Sequence, residues 1–225
     1  MPRRSIPILP GIPHHVTQRA AHGVWLLESD HAKAVLVDLL GDWAERLGVV
    51  IDAFVIMNNH FHLSATPPDD SALAKLLGNA TQALSRWLNL EAGDVGPNWQ
   101  GPFYAAPMDE MHAVAAAQYI ERNPVAAGLV DRPWDWHWSS AAFHVGLASK
   151  PRLLNSAARP GGASASEWAD ALVAPLPTAM VDSIHCASSG KTLLASEDWV
   201  SRVESTLGRR IRPRPRGRPR AGENR

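Results

Sequence analysis

Val49-Val-Ile-Asp-Ala-Phe-Val-Ile-Met-Asn-Asn-His-Phe-His-Leu-Ser-Ala-Thr66 holds two apolar runs separated by Asn58-Asn59. The first, Val49 to Met57, is rich in β-branched and aromatic side chains, which suit a pleated surface. Adjacent asparagines favour a turn, because their short amides bond to nearby backbone and tolerate left-handed φ. His60 to Thr66 can then return beside the first run, and Pro67-Pro68 ends the hairpin. Side chains two apart in a strand leave the same face. His60 and His62 therefore project together, and Phe61 points the opposite way into a core.

Working outward, His14 to Arg19 reads as a first strand, preceded by Pro10 and Pro13, which favour extended backbone. Asp30 to Leu47 has apolar residues at three- and four-residue spacing and predicts a helix stopped by Gly48. Asp70 or Ser71 can cap a second helix running to about Leu90. Trp99 to Ala106 reads as a short strand. Asp109 can cap a third helix, which Pro124 should end at Arg122 or Asn123. Residues 131–146 are rich in tryptophan and read as an irregular closure, with a turn of helix at Ser139–Phe143. The order β-α-β-β-α-β-α predicts an α+β sandwich on an antiparallel sheet. Residues 147–164 are rich in Ala, Gly, Ser and Pro and read as a linker. A small helical extension is expected over 165–207, with helices at 165–174 and 194–207.

The 225 residues carry 22 basic and 22 acidic side chains, but unevenly. Residues 208–225 hold eight arginines and one acid, leaving 14 basic and 21 acidic residues before them. A body near −7 with a tail near +7 suggests a polyanionic partner reached through the tail, or simply a solubilising end. One cysteine excludes an internal disulfide, and a cytoplasmic location fits. No run of about 18 apolar residues exists, so no membrane span is expected.

Imidazole suits divalent first-row metals, so the His60/His62 pair is either a ligand pair or two histidines on a polar strand face. Tyr119 and Asn123 stand four apart and share a helix face. The Asn123 amide oxygen can serve as a third ligand, with Tyr119 beside the metal; alternatively Tyr119 packs a helix on a sheet. Gln18, Arg19 and Arg86 are candidate DNA contacts or ordinary solvated side chains. Arg216, Arg218 and Arg220 lie in Pro215-Arg-Gly-Arg-Pro-Arg220, similar to the core of an AT-hook, whose extended arginines enter narrow minor grooves.

Five stretches taken in order resemble the REP-associated tyrosine transposases, a branch of the single-tyrosine His-hydrophobe-His transposases. They are Gly11-Ile-Pro-His-His-Val-Thr-Gln-Arg19, Met57-Asn-Asn-His-Phe-His-Leu63, Trp99-Gln-Gly-Pro-Phe-Tyr104, Tyr119-Ile-Glu-Arg-Asn-Pro-Val-Ala-Ala-Gly-Leu-Val130 and Trp138-Ser-Ser-Ala141. The resemblance implies a ferredoxin-like catalytic domain over 1–146. It also implies Mg²⁺ or Mn²⁺ on His60, His62 and Asn123, and cleavage of single-stranded DNA near a hairpin by Tyr119 through a 5′-phosphotyrosine. Pro102 and Ala126 stand where the family usually carries arginine, Asn58 where it carries proline, and Ala20-Ala21 where it carries Gly-Asn. By analogy a monomer is expected. Two other readings remain open at this stage: a non-cleaving hairpin-binding regulator, or a metal-dependent hydrolase unrelated to DNA.

Overall fold

Residues 6–190 and 192–212 are described by a computed structural model. Strands β1 (His14–Arg19), β2 (Val50–Ile56), β3 (His60–Thr66) and β4 (Tyr104–Pro107) form one sheet in the order β2-β3-β1-β4. Every pairing is antiparallel. Helices α1 (Asp30–Leu47) and α2 (Ala72–Ala92) fall between strands, giving the βαββαβ order expected of a ferredoxin-like sandwich.

Register decides what each face carries. Thr17 pairs with His62, and Arg19 with His60. His15, Thr17, Arg19, His60 and His62 consequently share one face. The alternate residues Val16, Phe61, Leu63 and Ala65 turn to the other face, where they pack with Leu36 and Leu40 of α1 and Leu73, Leu76 and Leu77 of α2. β2 is apolar on both sides because both faces of the sheet are covered. A bulge at Asp52, between Ile51 and Ala53, keeps Ile51 on the helical face and Ala53 on the histidine face.

The histidine face is covered by α3 (Glu110–Ala126) and by α5 (Ala165–Val173), whose Trp168 and Leu172 pack with Ala53, Val55, Ala117 and Ile120. Asp109 caps α3, accepting from the His112 N–H at 2.9 Å, and its other carboxylate oxygen accepts from Ser196 N–H at 2.8 Å. One carboxylate thereby starts α3 and ties down the approach to α7 (Glu197–Leu207).

Several elements differ from the sequence reading. Pro124 does not end α3; the helix continues to Ala126 with Pro124 buried inside it. Proline forfeits only its own N–H, and this one lies within a turn of the end, where Ala127, Gly128 and Leu129 N–H groups already close the helix onto Asn123, Val125 and Pro124 carbonyls. Ser71 does not cap α2 with its hydroxyl, which donates instead to Asp69. The strand expected over 99–106 is confined to Tyr104–Pro107. Helix α6 (Thr178–Ala187) has no counterpart in the sequence reading; its buried Ile184 and Ala187 pack with Ala106, Met108 and Ala116. Within 147–164, Leu153 and Leu154 enter the main core, and the Asn155 amide bonds the Ile51 N–H and Val49 carbonyl at 2.6 and 2.5 Å.

Candidate active site

The site is assembled where α3 crosses the histidine face. His60 opens β3 and His62 follows on the same side, with ring centroids 5.0 Å apart and planes at 90°. Tyr119, from the middle of α3, stands edge-on to His62 at 5.7 Å. Asn123, one helical turn further on, brings its amide within hydrogen-bonding reach of both His60 and the Tyr119 hydroxyl. The four residues singled out from sequence are thus brought together.

Each histidine is oriented by a partner on its inner nitrogen. His60 Nδ1 donates to Asn59 Oδ1 at 2.7 Å, which leaves the lone pair on Nε2. His62 Nδ1 meets His15 Nε2 at 3.0 Å, with the two rings stacked. His62 Nε2 is buried and bonded to nothing among the described residues. A buried, unpaired imidazole nitrogen is costly unless something binds it. Burial also keeps both rings neutral: His60 is lowered to about 4, with the charge of Arg19 adding to desolvation, and His62 falls well below the usual range. Neutral imidazoles with fixed outer hydrogen bonds are the form in which histidine binds a metal. The donor set therefore fits a divalent ion held by His60, His62 and Asn123. Among the described residues, no group of three His, Cys, Asp or Glu side chains is arranged to hold one, so the amide of Asn123 is needed to complete a three-donor set.

Burial raises the Tyr119 hydroxyl above the usual phenol range, against the opposing pull of Arg19 and of the Asn123 amide. At neutral pH it is a phenol and must lose its proton to attack anything. Arg19 is exposed at the end of β1, and its charge is felt at His60, His62 and Tyr119.

The remaining sequence candidates lie elsewhere. Gln18, expected on the surface, is buried; strand alternation turns it away from Arg19, and its amide donates to the Gly101 carbonyl at 2.8 Å. Arg86 is exposed on α2, on the opposite side of the sheet from Tyr119. Arg216, Arg218 and Arg220 lie outside the described residues. Two residues with no assigned part in the sequence reading join the site: His15, behind His62, and His185 of α6, whose Nε2 lies 3.1 Å from the Tyr119 hydroxyl. His15 was visible in principle, standing two residues before Thr17 on the same strand face. His185 has no local sequence signal.

Residues 15–123 match the family described as IS200-like transposase. Over that span the chain is similar to IS200-like transposases. The matched span begins at His15, ends at Asn123 and contains His60, His62 and Tyr119. The fold is similar to that of a REP-associated tyrosine transposase solved bound to a REP hairpin, with a TM-score of 0.52 and 19% identity over 69% of this chain and 92% of that one. A second similar structure, from Deinococcus radiodurans R1 and provisionally described as a transposase, gives a TM-score of 0.36 and 21% identity over 54% of this chain and 95% of that one. No curated protein matches the chain significantly. Among the described residues no helix is long and apolar enough to cross a membrane.

Proposed function

We propose that the protein is a single-tyrosine DNA strand transferase of the REP-associated kind, which nicks and rejoins single-stranded DNA beside a hairpin. The observation that carries this reading is the convergence of four side chains: the Asn123 amide reaches both His60 and the Tyr119 hydroxyl, and Tyr119 stands edge-on to His62, whose buried Nε2 has no partner among the described residues. The family match over 15–123 supports it, because that match spans all four residues.

Tyr119 Oη attacks the scissile phosphorus in line with the departing 3′ oxygen. The products are a 5′-phosphotyrosine and a free 3′-OH. The new ester keeps the free energy of the phosphodiester, so a second 3′-OH can rejoin strands without a nucleotide cofactor. Arg19, exposed beside Tyr119, positions the phosphate and balances its charge. Asn123 holds the phenol oxygen against rotation. A divalent ion, Mg²⁺ or Mn²⁺, bound by His60, His62 and Asn123 supplies Lewis-acid neutralisation of the phosphate and of the leaving oxygen. Two imidazoles favour Mn²⁺ over Mg²⁺, which prefers oxygen donors.

DNA affinity beyond the site is assigned to the arginine-rich tail. The protein would act in the cytoplasm as a monomer.

The test is a covalent one. A single-stranded oligonucleotide carrying a hairpin is incubated with the protein and Mn²⁺, then denatured in SDS. An adduct formed by the native protein and lost in Tyr119→Phe is expected. Binding without an adduct would identify a hairpin-binding regulator instead. Cleavage that survives Tyr119→Phe would identify a hydrolase using water.

A further inference from the structure

A phenol attacking a phosphodiester needs somewhere to put its proton, and the residues of the metal-type cluster cannot take it. Arg19 and Asn123, the groups acting directly on the Tyr119 hydroxyl, have no basic lone pair at neutral pH. The Nε2 lone pairs of His60 and His62 are the ones assigned to the metal, and their Nδ1 atoms are already bonded to Asn59 and His15. His185 is different. Its Nε2 lies 3.1 Å from Tyr119 Oη, with the two rings edge to face at 5.6 Å. We propose that His185 is the general base that accepts the Tyr119 proton during strand cleavage and returns it during rejoining, resting on the reading of Tyr119 as nucleophile.

The geometry suits that role. With its proton on Nδ1, His185 presents the Nε2 lone pair to the phenol O–H. The Asn123 amide is also in reach of Oη and can donate to it, which leaves the single phenolic proton free to point at His185. His15 and His62 both feel the charge of His185, which puts it at the mouth of the same site. The side chain is exposed, so a proton it takes up can pass to solvent. Its own helix is held on the opposite edge: Ile184 and Ala187 are buried against Ala106, Met108 and Ala116. Just after α6, Gly190 lies so close to the Tyr104 ring that an added Cβ would stand 2.8 Å from it, so α6 is fitted tightly against β4. The part of the chain beyond the family match at Asn123 thereby supplies a residue to the reacting centre.

As the bond from Tyr119 Oη to phosphorus forms, the phenolic proton moves to His185 Nε2. The phosphorus–O3′ bond breaks with its electron pair on O3′, which takes a proton from water. In rejoining, the incoming 3′-OH loses its proton to water, and the departing Tyr119 oxygen recovers one from the imidazolium. No oxidant or other co-reactant is required. Concerted transfer lets a base weaker than the phenolate assist, since the proton need not leave before attack.

The experiment measures the rate of covalent adduct formation on the hairpin oligonucleotide with Mn²⁺, in the full chain and in His185→Ala, His185→Gln and Tyr119→Phe. General-base losses are commonly about 10²–10⁴-fold. A fall of that order is expected in both histidine variants, with recovery in His185→Ala on adding imidazole to the buffer. Wild-type rates in both would overturn the base while leaving the nucleophile intact, provided that Tyr119→Phe gives no adduct. Full activity in His185→Gln, a fall in His185→Ala that imidazole does not repair, or faster adduct formation in either variant would also overturn it. The first two outcomes mean a positioning contact, the third an inhibitory one. An adduct persisting in Tyr119→Phe would instead overturn the nucleophile itself. Far-ultraviolet circular dichroism and the melting temperature are compared throughout; matching values assign a rate change to chemistry.

Discussion

The protonation of individual histidines is set by where the backbone puts them. His62 carries an unpaired buried nitrogen and His15 fixes its other one. His15→Ala removes the partner that orients the His62 ring without touching the proposed donors. The Mn²⁺ concentration giving half-maximal adduct formation is expected to rise by about 10–100-fold, the usual effect of losing an outer partner of a metal-binding histidine. An unchanged Mn²⁺ requirement would show that His15 only fills space. His14 lies away from the site and reports on stability instead. Its Nδ1 donates to the Ile12 carbonyl and its Nε2 accepts from Leu9 N–H, so it is held neutral, and burial lowers it from 6.5 to about 4. The unfolded chain binds the extra proton between those values, so stability is complete above about 6.5 and falls as pH drops towards 4. The slope due to one such group is at most about 1.4 kcal/mol per pH unit. Urea unfolding between pH 7 and pH 5 should show His14→Gln with a shallower dependence than the native chain.

At the scale of elements, α3 must hold Tyr119 to the sheet, and one buried carboxylate joins it to two neighbouring helices. Glu121 accepts from Trp168 Nε1 of α5 at 2.7 Å, from His144 Nδ1 of α4 (Ala141–His144) at 2.5 Å, and from the Ser140 hydroxyl. Its side chain and that of His144 are fully buried. Removing the carboxylate strands three buried donors without a partner, at about 1–3 kcal/mol for each group left unsatisfied. Glu121→Ala should lose that much in a denaturant titration. A loss under about 1 kcal/mol would mean that the apolar packing of Trp168 and Leu172 holds α3 without help from this network. Glu121 stands inside the stretch Tyr119 to Val130, whose sequence drew attention to Tyr119 and Asn123. It shares their helix but faces inward, where α4 and α5 meet it. Helical spacing alone separates these faces; it does not say which neighbours cover them.

Over the whole molecule, charge and chemistry sit in different places. The acidic body cannot attract DNA by net charge, and the eight arginines of 208–225 reverse that balance locally. Removing 208–225 should weaken hairpin binding and flatten the dependence of log affinity on log salt by about 0.7–0.9 for each phosphate that the tail neutralises. A fluorescence-anisotropy titration at several salt concentrations checks this, and an unchanged slope would move the binding role to the body. Much of the sandwich was legible along the chain. β1, α1 and β3 follow from alternation, from three- and four-residue spacing, and from the stop at Gly48, all of which are local. The same local rules aligned His60 with His62 and Tyr119 with Asn123. They failed at Pro124, where nearby helix-closing bonds outweighed one missing donor; at Gln18 the alternation held, and it was the distant Gly101 segment that buried the side chain. Which residues pair on a common face is written in the sequence, because periods of 2 and 3.6 are properties of one backbone segment. Tertiary packing alone brings the two pairs to one point, sets His15 behind His62, and carries His185 to Tyr119 from 66 residues away. Those contacts depend on burial of apolar faces from distant segments, which no local period encodes.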